Sequence, residues 1–164
     1  MVFTRTANNI IETHKQIRTA VQGARLSQIN SSDEFIELYN PNDQEVSLKN
    51  WSIQRATSTG TISKKNFEPG NIIGAKGYFL IVNKYASQDL LNLADMTHNS
   101  FNLTEGNTIF LAANQEKISS GKEEAIIDKV GYWTAFSPEG NSAPEPLAGQ
   151  SIGRKWDEVA QTYP

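Results

Sequence analysis

The sequence lacks cysteine altogether and is poor in histidine and methionine, with two of each among 164 residues. Without cysteine there can be no disulfide bond, no thiol nucleophile and no metal site with thiolate ligands. Neither His14 nor His98 has a second ligand residue at metal-binding spacing. The sequence therefore predicts no zinc site, and we expect no cofactor.

Long hydrophobic runs are also missing. No apolar run exceeds five residues, as in residues 78–82. A membrane helix needs about 20 apolar residues and the core of a signal peptide about 7 to 15. We therefore predict no membrane insertion and expect no signal peptide within these residues.

The remaining composition is that of one soluble domain: 38% of the residues are hydrophobic, 20% are charged, and the formal net charge is −3. The charge is uneven along the chain, with +3 over residues 1–30 and −6 over the rest. Because the acidic main part offers no broad attraction for phosphate groups, we do not expect nucleic acid as a partner.

The N-terminal segment has a different periodicity from the rest of the chain. Ile10, Ile11, His14, Ile17 and Val21 recur at helical spacing, which predicts an amphipathic helix over residues 9–21. We therefore divide the chain into an N-terminal helix or linker (1–22), a β-sandwich domain (23–155) and a C-terminal tail (156–164).

From residue 24 onward the apolar period changes to two. Short runs of β-branched and aromatic residues alternate with turn residues at intervals of about ten, a pattern typical of an all-β sandwich or barrel. The predicted strands lie near residues 23–29, 34–40, 45–48, 51–56, 59–63, 77–83, 107–113, 125–132 and 150–154. One helix is predicted over residues 87–93, with Ser87 as its N-cap and its leucines packing down.

Five strings in this β pattern are more specific than the pattern itself. They are residues 33–41 (DEFIELYNP), 77–82 (GYFLIV), 106–111 (GNTIFL), 126–132 (IIDKVGY) and 149–154 (GQSIGR). In this order and at these distances they resemble the lamin tail domain in the form found in bacterial proteins, over about residues 23–155.

The resemblance implies an immunoglobulin-like antiparallel β-sandwich without enzymatic activity. It also implies a structural or protein-interaction module, carried as an accessory domain in a larger protein that is secreted or attached to the cell surface. The implied partner is a protein or a surface glycan. Such domains also accompany hydrolases and nucleases, which would place any chemistry in a neighbouring domain.

Strand alternation identifies a candidate core. Trp51 and Ile53 point to one face of their strand while Ser52 and Gln54 point to the other, which makes Trp51 a plug between the sheets. The predicted core residues are Phe35, Ile36, Leu38, Trp51, Ile53, Phe79, Ile81, Leu111 and Ile152. We also expect residues 78–82 to form a central strand that is covered on both faces.

Glu37 lies between Ile36 and Leu38 on a predicted strand. A carboxylate that is partly covered there needs a partner. Arg154 lies in the last matched string, and its planar guanidinium can hold a carboxylate with two parallel hydrogen bonds. We therefore predict a structural ion pair between Glu37 and Arg154, although the Arg154 stem covering apolar surface is an alternative.

The late loop holds the residues best suited to binding. Tyr132, Trp133 and Phe136 leave a predicted strand just before a loop rich in proline, glycine and serine. Exposed aromatic side chains are anchors for proteins or platforms for sugar rings. These three residues therefore form a candidate partner-binding loop, and a carbohydrate-binding module is the alternative function. The closing of the sandwich core by Tyr132 and Trp133 is a further alternative.

No catalytic constellation is evident. Carboxylates gather at residues 33–37 and 123–128, but no pair is placed for acid/base work, and the sequence contains no phosphate-binding glycine loop. We therefore predict no catalytic residues and no enzyme. A calcium site built from loop carboxylates is an alternative that this pattern leaves open.

Overall fold

The structure, a computed structural model, describes residues 24–30, 34–146 and 150–153 and is built mainly from β-strands. The strands are β1 (Arg25–Asn30), β2 (Phe35–Tyr39), β3 (Val46–Ser47), β4 (Ser52–Ala56), β5 (Ile62–Asn66), β6 (Ile72–Ile73), β7 (Tyr78–Asn83), β8 (Met96–His98), β9 (Thr108–Ala112), β10 (Ile126–Gly131) and β11 (Ile152–Gly153). The helix α1 (Gln88–Leu93) lies between β7 and β8. The predicted helix over residues 9–21 and the predicted tail over residues 156–164 lie outside the described residues.

Two sheets form the sandwich. The first has the strand order β11-β1-β2-β7-β8, with antiparallel pairs except for the parallel pair of β7 and β8. The second has the order β10-β9-β4-β5 and is antiparallel throughout, while β3 and β6 pair separately. The predicted all-β, immunoglobulin-like sandwich is confirmed.

The core between the sheets follows from strand alternation. On β2, Ile36 and Leu38 are buried in the core, while Phe35 is half-buried on the opposite face. The prediction of Phe35 as a core residue is wrong, because adjacent residues of a strand point to opposite faces. The buried cluster contains the predicted residues Ile36, Leu38, Trp51, Ile53, Phe79, Ile81 and Leu111. Ile152 is half-buried and packs at the rim of this cluster, because β11 is a two-residue edge strand.

The strand covered on both faces along its whole length is β9, whereas β7 is covered on both faces only at Ile81, Val82 and Asn83. Every residue of β9 is buried. Ile109 and Leu111 join the core between the sheets, whereas Phe110 and Ala112 join a second cluster on the outer face of the second sheet. On β7, by contrast, Tyr78 is 60% exposed, so the prediction for residues 78–82 is wrong at this position.

A connection between β9 and β10 covers the outer face of the second sheet. We call residues 113–125 the strap. Its residue Ile118 is buried in the second cluster beside Phe110 and Ile62. The Ser52 hydroxyl donates to Asn114 O at 2.7 Å, and Lys64 Nζ donates to Gln115 O. The strap is therefore held both by packing and by hydrogen bonds from the sheet below it.

Gln54, which is fully buried, is the main polar anchor of the strap. Its Nε2 donates to Glu116 O at 2.7 Å, and its Oε1 accepts the Ile118 N–H at 3.0 Å. Because Gln54 satisfies one carbonyl and one amide of the strap, burying its side chain carries no unmet polar group.

The predicted N-cap of α1 is confirmed, whereas the predicted start of β5 is too early. Ser87 accepts a hydrogen bond from Leu90 N–H, as predicted for an N-cap. No residue of α1 is fully buried, however, and Leu93 is exposed, so Leu93 does not pack down as predicted. Strand β5 begins at Ile62, later than predicted, because residues 57–61 form the turn, with a Thr57 N–H to Thr61 O bond of 3.0 Å.

In the part of the chain that the structure describes, no helix is long and apolar enough to cross a membrane.

Candidate interaction surface

Three loops meet at one end of the second sheet. Ala56 pairs with Thr108, and Thr108 pairs with Gly131, so the ends of β4, β9 and β10 lie side by side. The turn at 57–61, the turn at 104–107 and the loop that follows β10 therefore share this end. We call it the aromatic end, and define it by Trp133 and Phe136 together with the turn residues Gly60 and Gly106.

Tyr132 closes the core beneath the aromatic end. It is fully buried in the main cluster, and its N–H donates to Asn107 O at 3.1 Å. Burial is the main cause that raises the pKa of its hydroxyl. Because a buried ring offers no surface to a partner, Tyr132 is not available as the binding residue that the sequence suggested.

Trp133, the next residue, is 57% exposed. Its φ of 54° lies in the left-handed region, which is unusual for a bulky side chain. Two backbone bonds hold this conformation: Trp133 N–H donates to Ala143 O, and Ala143 N–H donates to Gly131 O, both at 2.8 Å. The indole is therefore displayed from a fixed backbone, not from a loose loop.

Close approach to two glycines fixes the rest of the loop. A Cβ on Gly60, which has a φ of 86°, would lie 2.8 Å from Cε2 of the Phe136 ring. A Cβ on Gly106, which has a φ of 67°, would lie 2.6 Å from the Thr134 hydroxyl. Phe136 is consequently only 37% exposed, with its ring against the neighbouring turn.

The exposed side chains of Tyr78 and Tyr85 each have a ring or a cation as a neighbour. The Tyr78 ring lies 4.9 Å from the Tyr39 ring, and Lys84 Nζ lies 4.8 Å from the centre of the Tyr85 ring. Within the described residues the Trp133 indole has no such ring or cation partner. It is the aromatic group best placed to contact another molecule.

Two carboxylates flank the aromatic end. Glu105 is exposed and directly precedes Gly106, while Glu145 follows the Ala143 segment that bonds to Trp133. Slight desolvation and the charge of Glu105 raise the pKa of the Glu145 carboxyl, so the two groups repel each other. This pair was not singled out from the sequence, because their proximity depends on how the two loops fold.

A half-buried carboxylate, that of Glu34, supports the aromatic end from below. Glu34, with a φ of 57°, accepts hydrogen bonds through Oε2 from Leu103 N–H at 2.9 Å and from Asn83 Nδ2 at 3.3 Å. Burial raises the pKa of Glu34, and these two bonds and the charge of Arg55 oppose that shift. Burial also lowers the pKa of Arg55. These contacts tie the start of β2 to residues 101–103.

The other carboxylates that the sequence groups together have structural partners. The Glu123 Oε1 accepts N–H bonds from Ser119 and Ser120 at 2.7 and 2.8 Å. Asp128 Oδ2 accepts the Leu26 N–H at 2.8 Å. In the described ranges, no group of three or more histidine, aspartate or glutamate residues could hold a metal ion.

The predicted partner of Glu37 cannot be placed. Arg154 lies outside the described residues, so the ion pair stays a prediction. Glu37 itself is half-buried and accepts a hydrogen bond from the Ser27 hydroxyl at 2.9 Å.

The side of the sandwich contains a cleft of about 250 Å³ between β1 and β10. Its apolar lining comes from Leu26, Ile29, Val130, Ala143 and Ile152. The sequence did not reveal this cleft, because its walls come from strands far apart in the chain.

The strand order, the two packed sheets and the core around Trp51 make the protein an immunoglobulin-like domain. A comparison with protein families matches residues 18–134 to the lamin tail domain. The chain therefore belongs to the lamin tail domain family. A comparison with curated proteins gives no match. The matched range includes Trp133 but ends before Phe136 and Glu145.

Proposed function

We propose that the chain is a non-catalytic protein-interaction module, carried as an accessory domain of a larger secreted or surface protein, and that it contacts its partner through the aromatic end. The observation that carries the proposal is Trp133, which is 57% exposed in a left-handed backbone conformation. The secreted or surface setting is an expectation from the family resemblance.

The backbone of Trp133 supports this assignment. A non-glycine residue in the left-handed region costs on the order of 1 to 3 kcal/mol and persists where surrounding contacts hold it. Here the bonds to and from Ala143 hold it, and the result is an indole directed toward solvent. Tryptophan side chains fixed in this way are frequent anchors of protein interfaces.

The hydrogen bonds that the carboxylates accept support a non-catalytic function. Glu123 and Asp128 accept backbone hydrogen bonds within the strap and between the sheets, and Glu34 accepts one from Leu103. A general base needs a carboxylate that faces a substrate, with a geometry that lets it accept a proton. Each of these carboxylates instead stabilises a loop or a strand.

The environment of Phe136 favours a protein partner over a glycan. A sugar-binding platform needs exposed aromatic ring faces. The Phe136 ring lies against Gly60, which leaves Trp133 as the main open ring at this end. One fixed aromatic anchor is what a peptide or protein contact uses.

A library of random peptides displayed on phage, selected against the wild-type protein, tests the proposal. We expect the selected peptides to lose affinity at least about tenfold on Trp133→Ala, the size of a tryptophan hot spot. Tyr85→Ala is the matched control, because Tyr85 is 77% exposed elsewhere on the molecule. Equal binding to both variants would contradict the proposed surface.

Two further measurements complete the test. Binding to a glycan array that is lost on Trp133→Ala would favour the carbohydrate-binding alternative and contradict a protein partner. Turnover of nucleic acid, phosphoester or glycoside substrates that disappears on Glu34→Gln would contradict the non-catalytic assignment.

A further inference from the structure

Resting on the proposed function, we infer the chemistry of the partner: the aromatic end recognises a basic protein segment, with a lysine or arginine side chain set against Trp133 and between Glu105 and Glu145. An aromatic ring face attracts an ammonium or guanidinium group, and carboxylates beside the ring add charge-assisted hydrogen bonds. Arginine is especially suited, because it stacks on rings and binds carboxylates at the same time.

The loop contacts place Trp133 between the two acidic positions. On one side, Thr134 packs against Gly106, which directly follows Glu105. On the other side, Trp133 bonds to Ala143, two residues before Glu145. The same contacts that hold the Trp133 backbone therefore bring the chain segments that carry Glu105 and Glu145 to this end of the sheet.

Among the described residues, neither Glu105 nor Glu145 forms an ion pair. Arg55 is half-buried, and its field acts on Glu34 and Tyr132 below the surface. Lys129, the cation closest to Trp133 in the chain, donates to Gly121 O in the strap at 2.9 Å and to the Ser137 hydroxyl in the loop after β10 at 3.3 Å. The repulsion between Glu105 and Glu145 is thus a feature that a cation from a partner would relieve.

The overall charge acts in the same direction. The protein carries a formal net charge of −3. An acidic surface speeds the approach of a basic partner and disfavours an acidic one. Because these carboxylates are near the surface, the attraction should weaken as salt is added.

The experiment uses a synthetic peptide of alternating glycine and arginine and its glycine–glutamate counterpart. Binding is followed by NMR through the indole N–H of Trp133, which is assigned with Trp133→Phe. We expect the basic peptide to shift this signal at low salt and the acidic peptide to leave it unchanged. Trp133→Ala, whose binding is followed by titration calorimetry because it lacks this signal, should not bind the basic peptide.

A charge-matched pair of variants separates the site from net charge. Glu105→Gln with Glu145→Gln removes two charges at the aromatic end, and Glu116→Gln with Glu124→Gln removes two exposed charges from the strap. We expect about fivefold weaker binding for the first variant and less than about twofold for the second, the range for partly exposed ion pairs. Equal weakening would overturn the inference.

The remaining outcomes distinguish this inference from the proposed function. If selected library peptides depend on Trp133 but contain no excess of lysine or arginine, the inference fails and the proposed function stands. If no selected peptide depends on Trp133, both fail. If calcium chloride alone shifts the Trp133 signal and blocks the basic peptide, the carboxylates form a metal site and the inference is overturned.

Discussion

The two connections that flank β10 differ in what they do with their apolar side chains. The strap before β10 buries Ile118 against the second sheet, with 4% of that residue exposed. The loop after β10 displays Trp133, with 57% exposed. Both connections are held firmly, the strap by Gln54 and the aromatic loop by Ala143. A firmly held backbone therefore does not by itself distinguish a structural loop from a binding loop. The two loops differ in whether the apolar side chain points into the protein or toward solvent.

The largest expected effect compares Ile118→Ala with Trp133→Ala. Removing buried methylene groups of Ile118 should lower the free energy of unfolding by about 2 to 4 kcal/mol. Trp133→Ala should lower it by less than about 1 kcal/mol, because most of the side chain is already in water. Urea denaturation followed by circular dichroism measures both. A larger loss for Trp133→Ala would reverse the comparison.

The polar anchor of the strap should have the next largest effect. Gln54→Met leaves Glu116 O and Ile118 N–H without their partner, at a cost of about 2 kcal/mol. The loosened strap should also be cut faster by trypsin after the exposed residues Lys117 and Lys122. Gln44→Met, at an exposed glutamine, is the control, and equal cleavage of both variants would show that Gln54 does not hold the strap.

A smaller effect tests the strained backbone of the aromatic loop. At a left-handed position glycine is favoured, so Trp133→Gly should be more stable than Trp133→Ala by about 1 kcal/mol. At Tyr85, which has no positive φ, the order should be opposite: Tyr85→Gly is expected to be the less stable of the two. Thermal unfolding of the four variants measures these differences in stability. The same order of stability at both sites would show that the left-handed backbone at Trp133 is not strained.

The smallest expected effect is the difference in pKa between the carboxyl groups of Glu123 and Glu145. Burial disfavours ionisation of Glu123, but hydrogen bonds from Ser120 and Ser119 outweigh it and lower the pKa below 4.5. Glu145, in the aromatic loop, has its pKa raised above 4.5 by slight desolvation and by Glu105. NMR of the side-chain carboxyl carbons should show Glu145 protonating first as the pH falls.

Protonation of Glu123 and protonation of Glu145 change the free energy of unfolding in opposite directions. Because the folded pKa of Glu123 is depressed, its contribution is present above pH 4.5 and lost as the pH falls through the folded value. Protonation of Glu145 instead relieves repulsion, so its effect favours the folded state as the pH falls. Glu105→Gln should move the Glu145 midpoint down, and an unchanged midpoint would mean that the two groups are not coupled.

The sequence was sufficient for the β-sandwich and for most of one core. Alternation places Trp51 and Ile53 on one face, and both lie in the buried cluster. The same rule should have excluded Phe35, since Ile36 and Leu38 already defined the inward face of β2.

The second apolar cluster could have been found from a signal that was present. Ile118 is the one aliphatic residue in the polar stretch 115–124, and residues 109–112 are apolar on both faces. Together they indicate a strand that needs an outer cover. The flanking of Trp133 by Glu105 and Glu145 could not be found in this way, because it depends on left-handed turns and glycine contacts that bring separate loops together.

The bond between Leu26 N–H and Asp128 has a consequence for how the chain reaches its native state. It joins residues 102 positions apart, and Asp128 also accepts the Lys129 N–H at 2.9 Å, so one carboxylate connects the first strand of one sheet to the edge of the other. Contacts between distant residues must overcome a large loop-closure entropy before they stabilise anything. We expect this connection to form late in folding, after the hairpin of β1 and β2 and the hairpin of β4 and β5. Weakening it should then speed unfolding and leave the folding rate nearly unchanged.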